Sequence, residues 1–376
     1  MPCGSEMPLY YFFYAGFAGD VPPAEIRSIL RLHHYHFQVI KTAGRLEVLE
    51  IHPPLNFNVL DASAFKNIAG EVLCMKEVPS LDQQALESLV QQVDWGSLMT
   101  NKEGGTWSVR VKGNRSFFPS KLLKRTELEL AAKIKEVFPL PVNLNQADAQ
   151  FQLVIEKRSL TTTLLCFGLL RHKQSREIRQ RLSRTLALRR PYFSIGTMNN
   201  PVARAVANLS ETPPGKIILD PFCGSGGILI EAALNGNYCL GLDINRIVIR
   251  GARQNLKYFA PDMRLGEIRA SAFALPLRCP RACITTEIGG VSTDLPYGHS
   301  ISTQGLDGMT IWDLFLNELK GFLLPGTKCC MVVPNSPAVD DFLKKIARES
   351  YYKVVDTCIQ VVHESLTRRF IVLEVP

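Results

Sequence analysis

The 376-residue sequence lacks the long apolar runs and the excess of charge that mark membrane-spanning and disordered chains. Its longest apolar run, Leu9 to Gly19, is shorter than the ~18 residues that a membrane-spanning helix requires. That run also lacks the basic start of a signal peptide, since Glu6 precedes it, and it reads as a strand. Hydrophobic residues make up 46% and charged residues only 21%, which excludes disorder. The length predicts two or three domains. The short apolar runs predict that the chain does not span a membrane.

Cysteine is present, but no CxxC pair occurs among the ten cysteines. The closest pairs are Cys279/Cys283 and Cys329/Cys330, and neither has a His or Cys partner at zinc-finger spacing. The sequence therefore predicts no metal site. It also predicts free thiols, which are typical of a reducing cytoplasm.

The positive charge is concentrated in the middle of the chain. Residues 76–190 carry a net charge of +9, whereas residues 1–75 carry −2 and residues 191–376 carry +1. From Arg171 to Arg190 there are eight basic residues and a single acid, Glu177. Such density predicts a surface that binds a polyanion. A solvated linker helix is the alternative, and the choice depends on whether a neighbouring domain handles nucleic acid.

The first 78 residues predict a ferredoxin-like β-α-β-β-α-β domain. The strand YYFFYAGF precedes a helix that Pro22-Pro23 opens, and the strands HFQVI and LEVLEI follow. A second helix is predicted around Ala62 to Ile68, before the strand EVLCMKEV.

Residues 79–172 predict a second α/β unit, in which a helix runs from Ser120 to the residues before Pro139. The segments WSVRVKGNRSFFPSKLLKR and VNLNQADAQFQLVIEKR resemble a THUMP domain, with a departure at Ala147, where the family usually has proline. The resemblance implies a domain that docks RNA, typically the acceptor end of tRNA. With residues 173–190 as a basic linker, the RNA-binding candidates are Arg110, Lys112, Lys121, Arg171, Lys173, Arg176, Arg179 and Arg184.

From Pro191 to the last residue, strand-like and helix-like segments alternate. The strands KIILD (216–220), CLGLD (239–243) and KCCMVVP (328–334) are separated by helical stretches, which predicts a doubly wound parallel sheet. The last two strands, KVVDTCIQVVH and RRFIVLEVP, are joined by a turn too short for a helical crossover. They are therefore predicted to pair as an antiparallel hairpin.

A glycine-rich turn follows the first of these strands. Gly224 and Gly226 permit positive φ angles and a close approach of a ligand to the backbone. Nineteen residues after Gly224, Asp243 ends the next strand, where its carboxylate can accept hydrogen bonds from ribose hydroxyls. An acid at this position fits NAD and S-adenosylmethionine alike, but Leu229 occupies the third glycine position of the NAD fingerprint.

The turn sequence D-P-F-C-G-S-G-G resembles motif I of the class I methyltransferases. The resemblance implies S-adenosylmethionine as cofactor, with Asp220 near its methionine part. It departs at Ser271, where the family usually has an acid for the adenine amino group. The cofactor-binding candidates are Thr197, Asp220, Phe222, Gly224, Gly226, Asp243, Ile244, Ser271 and Ala272.

The segment Thr293 to Gly298, TDLPYG, resembles the (D/N)PP(Y/F) motif of enzymes that methylate exocyclic amino groups of nucleobases. An aromatic amine is a poor nucleophile because its lone pair is delocalised into the ring. Acceptors for its two N–H groups draw the nitrogen towards sp³ geometry. The resemblance makes Asp294, the carbonyl of Leu295, Pro296 and Tyr297 the catalytic candidates, with Tyr297 stacking on a flipped base. Leu295 departs from the usual proline.

The order of these modules resembles the archaeal and eukaryotic tRNA guanosine-10 N2-methyltransferase family across nearly the whole chain. The resemblance implies methylation of a guanosine N2 amine in tRNA, at position 10. We expect the enzyme to be a monomer. Two alternatives stay open: a THUMP-bearing guanine-N2 methyltransferase acting at another tRNA position, and a tRNA-binding protein with a degenerate catalytic domain. The need for a small activating subunit is also open, as is the choice between one and two methyl groups.

Overall fold

The computed structural model describes residues 7–14, 19–100, 105–174, 180, 183–194, 197–276, 288–296, 308–349 and 352–376. Its strands are β1 Leu9–Tyr14, β2 His36–Ala43, β3 Leu46–His52, β4 Lys66–Val78, β5 Trp107–Gly113, β6 Ala149–Lys157, β7 Thr163–Lys173, β8 Ile217–Asp220, β9 Tyr238–Asp243, β10 Arg264–Arg269, β11 Ile288–Asp294, β12 Lys328–Pro334, β13 Lys353–His363 and β14 Leu366–Glu374. Its α-helices are α1 Val21–Leu32, α2 Gln83–Gln91, α3 Trp95–Thr100, α4 Ser120–Val137, α5 Asn200–Leu209, α6 Gly227–Leu234, α7 Arg246–Phe259, α8 Gly308–Lys320 and α9 Pro337–Glu349. Short 3-10 helices span Phe57–Ala62, Ala187–Arg189 and Pro261–Met263.

The chain divides into two compact units. The first comprises Met1–Ala15, Tyr35–Asn58 and Lys66–Gln174, and the second comprises Gly16–His34, Val59–Phe65 and Ser175–Pro376. This grouping differs from the predicted domain ranges, because α1 belongs to the second unit, where Asn208 on α5 donates a 2.7 Å hydrogen bond to the buried Glu25. The assignment of ferredoxin-like and THUMP modules stays a prediction.

The described strands of the first unit form one sheet in the order β2-β3-β1-β4-β7-β6-β5. Neighbouring strands are antiparallel except for β5 and β6, which are parallel and are connected by α4. Helix α4 begins after Pro119 and ends before Pro139, and it buries Leu123, Leu130 and Ile134 at helical spacing. The aromatic core packs Phe151 against Trp95, Phe138 and Phe167, with ring centroids 5.4 to 5.8 Å apart.

The predicted helix over Ala62–Ile68 is wrong. A 3-10 helix ends at Ala62, and β4 already begins at Lys66. Between them, Ser63 Oγ donates to Glu25 Oε2 at 2.6 Å, and the backbone N–H of Ala64 donates to Glu25 Oε1 at 3.1 Å. These bonds to one buried carboxylate hold the segment in a non-helical connection, which local helix propensity cannot anticipate.

The described strands of the second unit form the predicted doubly wound sheet, in the order β10-β9-β8-β11-β12-β14-β13. The first five strands are parallel. The predicted antiparallel hairpin is confirmed, since β14 pairs antiparallel with both β12 and β13. Apolar clusters cover both faces, one including α5, α6 and α7 and the other α8 and α9.

This topology decides which residues meet at the functional edge. Parallel strands β8, β9, β10 and β11 end together at their carboxyl edge. Because β14 runs in the opposite direction, its first residues lie at that same edge, and Arg368 is opposite Pro334 at the end of β12. No helix in the described part of the chain is long and apolar enough to cross a bilayer.

Candidate active site

The glycine-rich turn connects β8 to α6 and is tied to the end of β9. Gly224 and Gly226 have φ angles of +53° and +82°, a backbone conformation that residues with a side chain rarely adopt. A Cβ at Gly224 would meet no atom within 4 Å, so its conformation, rather than crowding, requires glycine. The Gly224 N–H donates to Asp243 Oδ2 at 3.0 Å. The backbone of the turn is therefore held beside the carboxylate predicted to bind ribose.

Asp220 lies at the end of β8 with 1% of its surface exposed. Its Oδ1 accepts a 2.7 Å hydrogen bond from the Thr293 hydroxyl and a 3.2 Å bond from the backbone N–H of Phe222. Burial raises the pKa of Asp220 to about 8, and the nearby Asp294 and Asp243 add to that rise, against those hydrogen bonds. In the protein without a ligand, this carboxyl group is therefore mostly protonated at neutral pH.

Asp243 at the end of β9 keeps capacity for a ligand. Its Oδ1 accepts the backbone N–H of Asn245 at 2.8 Å, while Oδ2 accepts that of Gly224. Each oxygen therefore retains a lone pair, since a carboxylate oxygen can accept two hydrogen bonds. Burial raises the pKa of Asp243, against both bonds.

Two neighbouring cavities collect the predicted residues. A cavity of about 190 Å³ is lined by Phe222, Asp243, Ile244, Ser271, Ala272, Asp294 and Pro296, together with Phe273 and two others. A second, of about 150 Å³, is lined by Thr197, Asp220, Phe222, Gly224 and Asp294, together with further residues of the turn and its entry segment. Both share Phe222 and Asp294. Among the described catalytic and cofactor-binding candidates, Gly226 and Leu295 do not line either cavity.

The two cavities differ in character, and the difference fits S-adenosylmethionine. In the first, Phe222 and Phe273 pack edge to face at 6.1 Å, beside the Asp243 carboxylate, which suits a base and its ribose. In the second, Thr197 and Ser225 present hydroxyls 3.3 Å apart near Asp220, which suits a charged amino-acid tail. Ser271 replaces the usual acid, and its hydroxyl accepts the N–H of Phe273 at 3.2 Å.

Asp294 ends β11 between these cavities. Its Oδ1 is buried and has no hydrogen-bond partner among the described residues, and its Oδ2 lies 3.9 Å from Arg368 Nη2. Burial raises the pKa of Asp294 to about 6, and the Arg368 charge opposes that rise. The next residue, Leu295, is fixed by a 3.1 Å bond from its N–H to the Val332 carbonyl. Tyr297 lies outside the described residues.

Arg368 was missed by the sequence analysis. It is 8% exposed and lies 74 positions after Asp294, so no local motif connects the two. The available signal was the pair Arg368-Arg369 in a terminal strand, because alternation places one of two adjacent side chains on each face.

Two of the RNA-binding candidates form ion pairs with acidic side chains. Arg110 Nη1 lies 3.4 Å from Glu127 Oε1, and Arg171 Nη2 lies 2.8 Å from Glu71 Oε2, so part of their charge is neutralised within the first unit. Lys112, Lys121, Lys173 and Arg184 are exposed. Arg176 and Arg179 lie outside the described residues. Arg190, at the end of the basic run, is buried and donates to the Thr185 carbonyl at 3.1 Å.

Comparison with known proteins identifies a methyltransferase domain. Residues 188–364 match the UPF0020 family, described as an RMKL-like methyltransferase domain. The tRNA (guanine(10)-N2)-dimethyltransferase of Methanothermobacter thermautotrophicus is 29% identical over 359 residues, covering 94% of this chain and 96% of that protein. The enzyme of the same name from Methanocaldococcus jannaschii is 28% identical over 76% of this chain and 81% of its own length.

A shorter match covers only part of the chain. The U6 snRNA (guanine-N(2))-methyltransferase THUMPD2 of Bos taurus is 31% identical over 111 residues, which is 29% of this chain and 21% of that protein. The methyltransferase-domain match spans both the cofactor turn and the strand that carries Asp294, and such a match identifies an enzyme. The chain therefore contains a methyltransferase domain over residues 188–364 and is similar along nearly its whole length to an archaeal tRNA (guanine(10)-N2)-dimethyltransferase.

Proposed function

We propose that this enzyme methylates the exocyclic N2 amine of guanosine 10 in tRNA, with S-adenosylmethionine as the methyl donor. The observation that carries the proposal is the Asp294 carboxyl group, whose buried Oδ1 has no described hydrogen-bond partner between the two cavities. A buried acceptor without a donor is costly, so the site is built for a ligand that supplies one. An amine hydrogen of a flipped guanine meets that need.

The residues of this chain would activate the amine rather than the methyl group. When bound, S-adenosylmethionine supplies a methyl group made electrophilic by its sulfonium. Asp294 accepts one N–H of the amine, and the Leu295 carbonyl is the proposed second acceptor. The nitrogen lone pair would then attack the methyl carbon while the bond from that carbon to the sulfonium sulfur breaks, so that the cofactor leaves as a neutral thioether. The excess proton of the amine would pass to Asp294 or to water.

The proposed cofactor contacts follow from the two cavities. Asp243, beside Ile244, would accept hydrogen bonds from the ribose hydroxyls. Phe222, Ser271 and Ala272 line the space for the base. Thr197 and Asp220 would face the methionine part, next to the turn formed by Gly224 and Gly226. Holding the two reactants about 3–3.5 Å apart in a dry pocket supplies much of the acceleration.

Access to the amine requires an unstacked base, and unstacking requires a firm grip on the RNA. The proposed phosphate contacts include four exposed residues, Lys112, Lys121, Lys173 and Arg184. Arg176 and Arg179, from the basic segment Arg171 to Arg190, are proposed to join them. Arg110 and Arg171 would have to share their charge with Glu127 and Glu71. The described cysteines are free thiols, which supports a reducing, cytoplasmic compartment.

Mass spectrometry of nucleosides from a tRNA transcript treated with the enzyme and cofactor tests the proposal. We expect N2-methylated guanosine, lost when guanosine 10 is replaced by adenosine. Methylation that persists in that transcript would move the target to another tRNA position, and no methylation of any RNA would indicate the degenerate RNA-binding alternative. The ratio of mono- to dimethylguanosine gives the number of methyl groups added.

Asp294→Ala is the variant that tests the catalytic assignment. Loss of the acceptor should lower kcat by about 100-fold or more, by analogy with removal of one preorganised polar group. The cofactor Kd should change little, because the proposed cofactor contacts come from other residues. Asp262→Ala, which removes an exposed acid from the 3-10 helix Pro261–Met263, is the control. Wild-type turnover in Asp294→Ala would refute the assignment.

A further inference from the structure

Arg368 and Asp294 are brought together by the reversed direction of β14. Asp294 is in register with Val332 on β12, and Arg368 is in register with Pro334, two residues further along the same strand. The Arg368 side chain reaches past β12 to place Nη2 3.9 Å from Asp294 Oδ2. Both side chains are largely buried, with exposed fractions of 9% and 22%.

The adjacent arginine has a different partner. Successive side chains of a strand point to opposite faces, so Arg369 leaves β14 on the other side. There its guanidinium forms an ion pair with Asp340 on α9, and 60% of that carboxylate is exposed. The chain thus offers two neighbouring arginines of one strand, of which only Arg368 lies against the proposed catalytic group.

A buried charge next to the reacting amine has a specific chemical use. Asp294 draws out the amine lone pair best as a carboxylate, because the ionised group is the stronger acceptor and can also take up the excess proton. Desolvation favours the neutral acid, and a fixed cation opposes it. An arginine suits this task, since its guanidinium stays protonated at any working pH.

We propose that Arg368 is a positioning residue of the methyl-transfer site, which keeps Asp294 ionised and its second oxygen directed at the amine. This inference rests on the proposed function. The charged groups that act on Asp294 from the described elements around it are Arg368 on β14 and Asp220 on β8, and Asp220 is itself largely protonated at neutral pH. Arg368 is therefore the charge that opposes the effect of burial on Asp294.

The pH dependence of kcat/KM for tRNA separates this role from a purely structural one. In Arg368→Gln the acidic limb of the profile should move up by about one pH unit or more, the range expected when a carboxylate loses a nearby opposite charge. Arg368→Lys keeps the charge, so its limb should stay near that of the wild type, with a lower plateau. Arg369→Gln is the matched control and should leave the limb in place.

The outcomes distinguish this inference from the function on which it rests. If the wild-type enzyme methylates no guanosine, the proposed function fails. If the wild type is active and Arg368→Gln has the wild-type acidic limb, the arginine does not control Asp294 and the inference is wrong.

A double-mutant cycle decides the case in which Arg368→Gln is too unstable to assay. Breaking a buried pair leaves one uncompensated charge, so Asp294→Asn should restore much of the Tm that Arg368→Gln loses. Additive losses in the double variant would make Arg368 a structural residue without coupling to Asp294, and would overturn the proposal.

Discussion

The Asp220 carboxyl group predicts that cofactor binding is linked to the release of a proton. Its pKa is about 8 in the protein without ligand, against an ordinary value near 3.9. At pH 6 only about 1% of this group is therefore ionised. On the proposed placement, the ammonium of the methionine part lies beside it and stabilises the charged form, so the proton must leave when the cofactor binds.

The size of the effect follows from that pKa. Below pH 8, each unit of pH changes the fraction of ionised Asp220 by up to tenfold, which is about 1.4 kcal/mol of binding free energy. Between pH 6 and pH 8 the ionised fraction rises from about 1% to about 50%, so the cofactor Kd should fall by up to about 50-fold. Asp220→Asn removes the titrating group and should remove this part of the pH dependence.

Isothermal titration calorimetry measures both quantities. At pH 6 to 7, titrations in buffers of different ionisation enthalpy should reveal close to one proton released per cofactor by the wild type, and fewer by Asp220→Asn. The variant also corrects for any titration of the cofactor itself. An identical pH dependence of Kd in the two proteins would refute the reasoning, because Asp220 would then stay neutral in the complex or already be ionised without it.

Two further predictions concern the RNA-binding surface and the glycine turn. Replacing Arg176, Arg179 and Arg184 with glutamine should weaken tRNA binding and leave the cofactor Kd unchanged. In a filter-binding titration, the slope of log K against log salt should flatten by ~0.7–0.9 for each phosphate that is no longer neutralised. An unchanged slope would indicate that the basic segment is a solvated linker that does not contact RNA. Gly224→Ala and Gly326→Ala each force a side chain into a positive φ, +53° and +82°, with no atom within 4 Å, so each should lower stability by about 1 kcal/mol. Only Gly224→Ala should raise the cofactor Kd, and an equal Kd in the two variants would place the cofactor away from the turn.

Features that the sequence predicted well depend on short stretches of chain. Helix α4 lies between Pro119 and Pro139, and the β13–β14 hairpin has a connection too short for any other pairing. The glycine turn and Asp243 also follow from local spacing, and Asp243 lines the 190 Å³ cavity while Gly224 lines the 150 Å³ cavity. In these cases one segment contains all the information that its conformation requires.

The features that could not be predicted involve partners that are distant in sequence. Glu25 on α1 fixes the backbone of Ala64, 39 positions later, so a stretch with helical character becomes a connection. Arg110, a candidate for RNA binding, forms an ion pair with Glu127 on α4 that the sequence does not indicate. Arg368 reaches Asp294 only because β14 reverses direction. Each pairing is set by tertiary packing, which cannot be read from one sequence taken alone.

The pairing of β4 with β7 has a consequence for how the amino-terminal half of the molecule can be divided. The two strands pair along their length, from Ile68–Lys173 to Val78–Thr163, so the hydrogen bonds of each depend on the other. A fragment cut after residue 78 would expose the whole length of β4 as an open edge, ready to pair with another chain. β4 and β7 therefore belong to one folding unit. A truncated protein, or a fusion with another domain, would have to contain both strands.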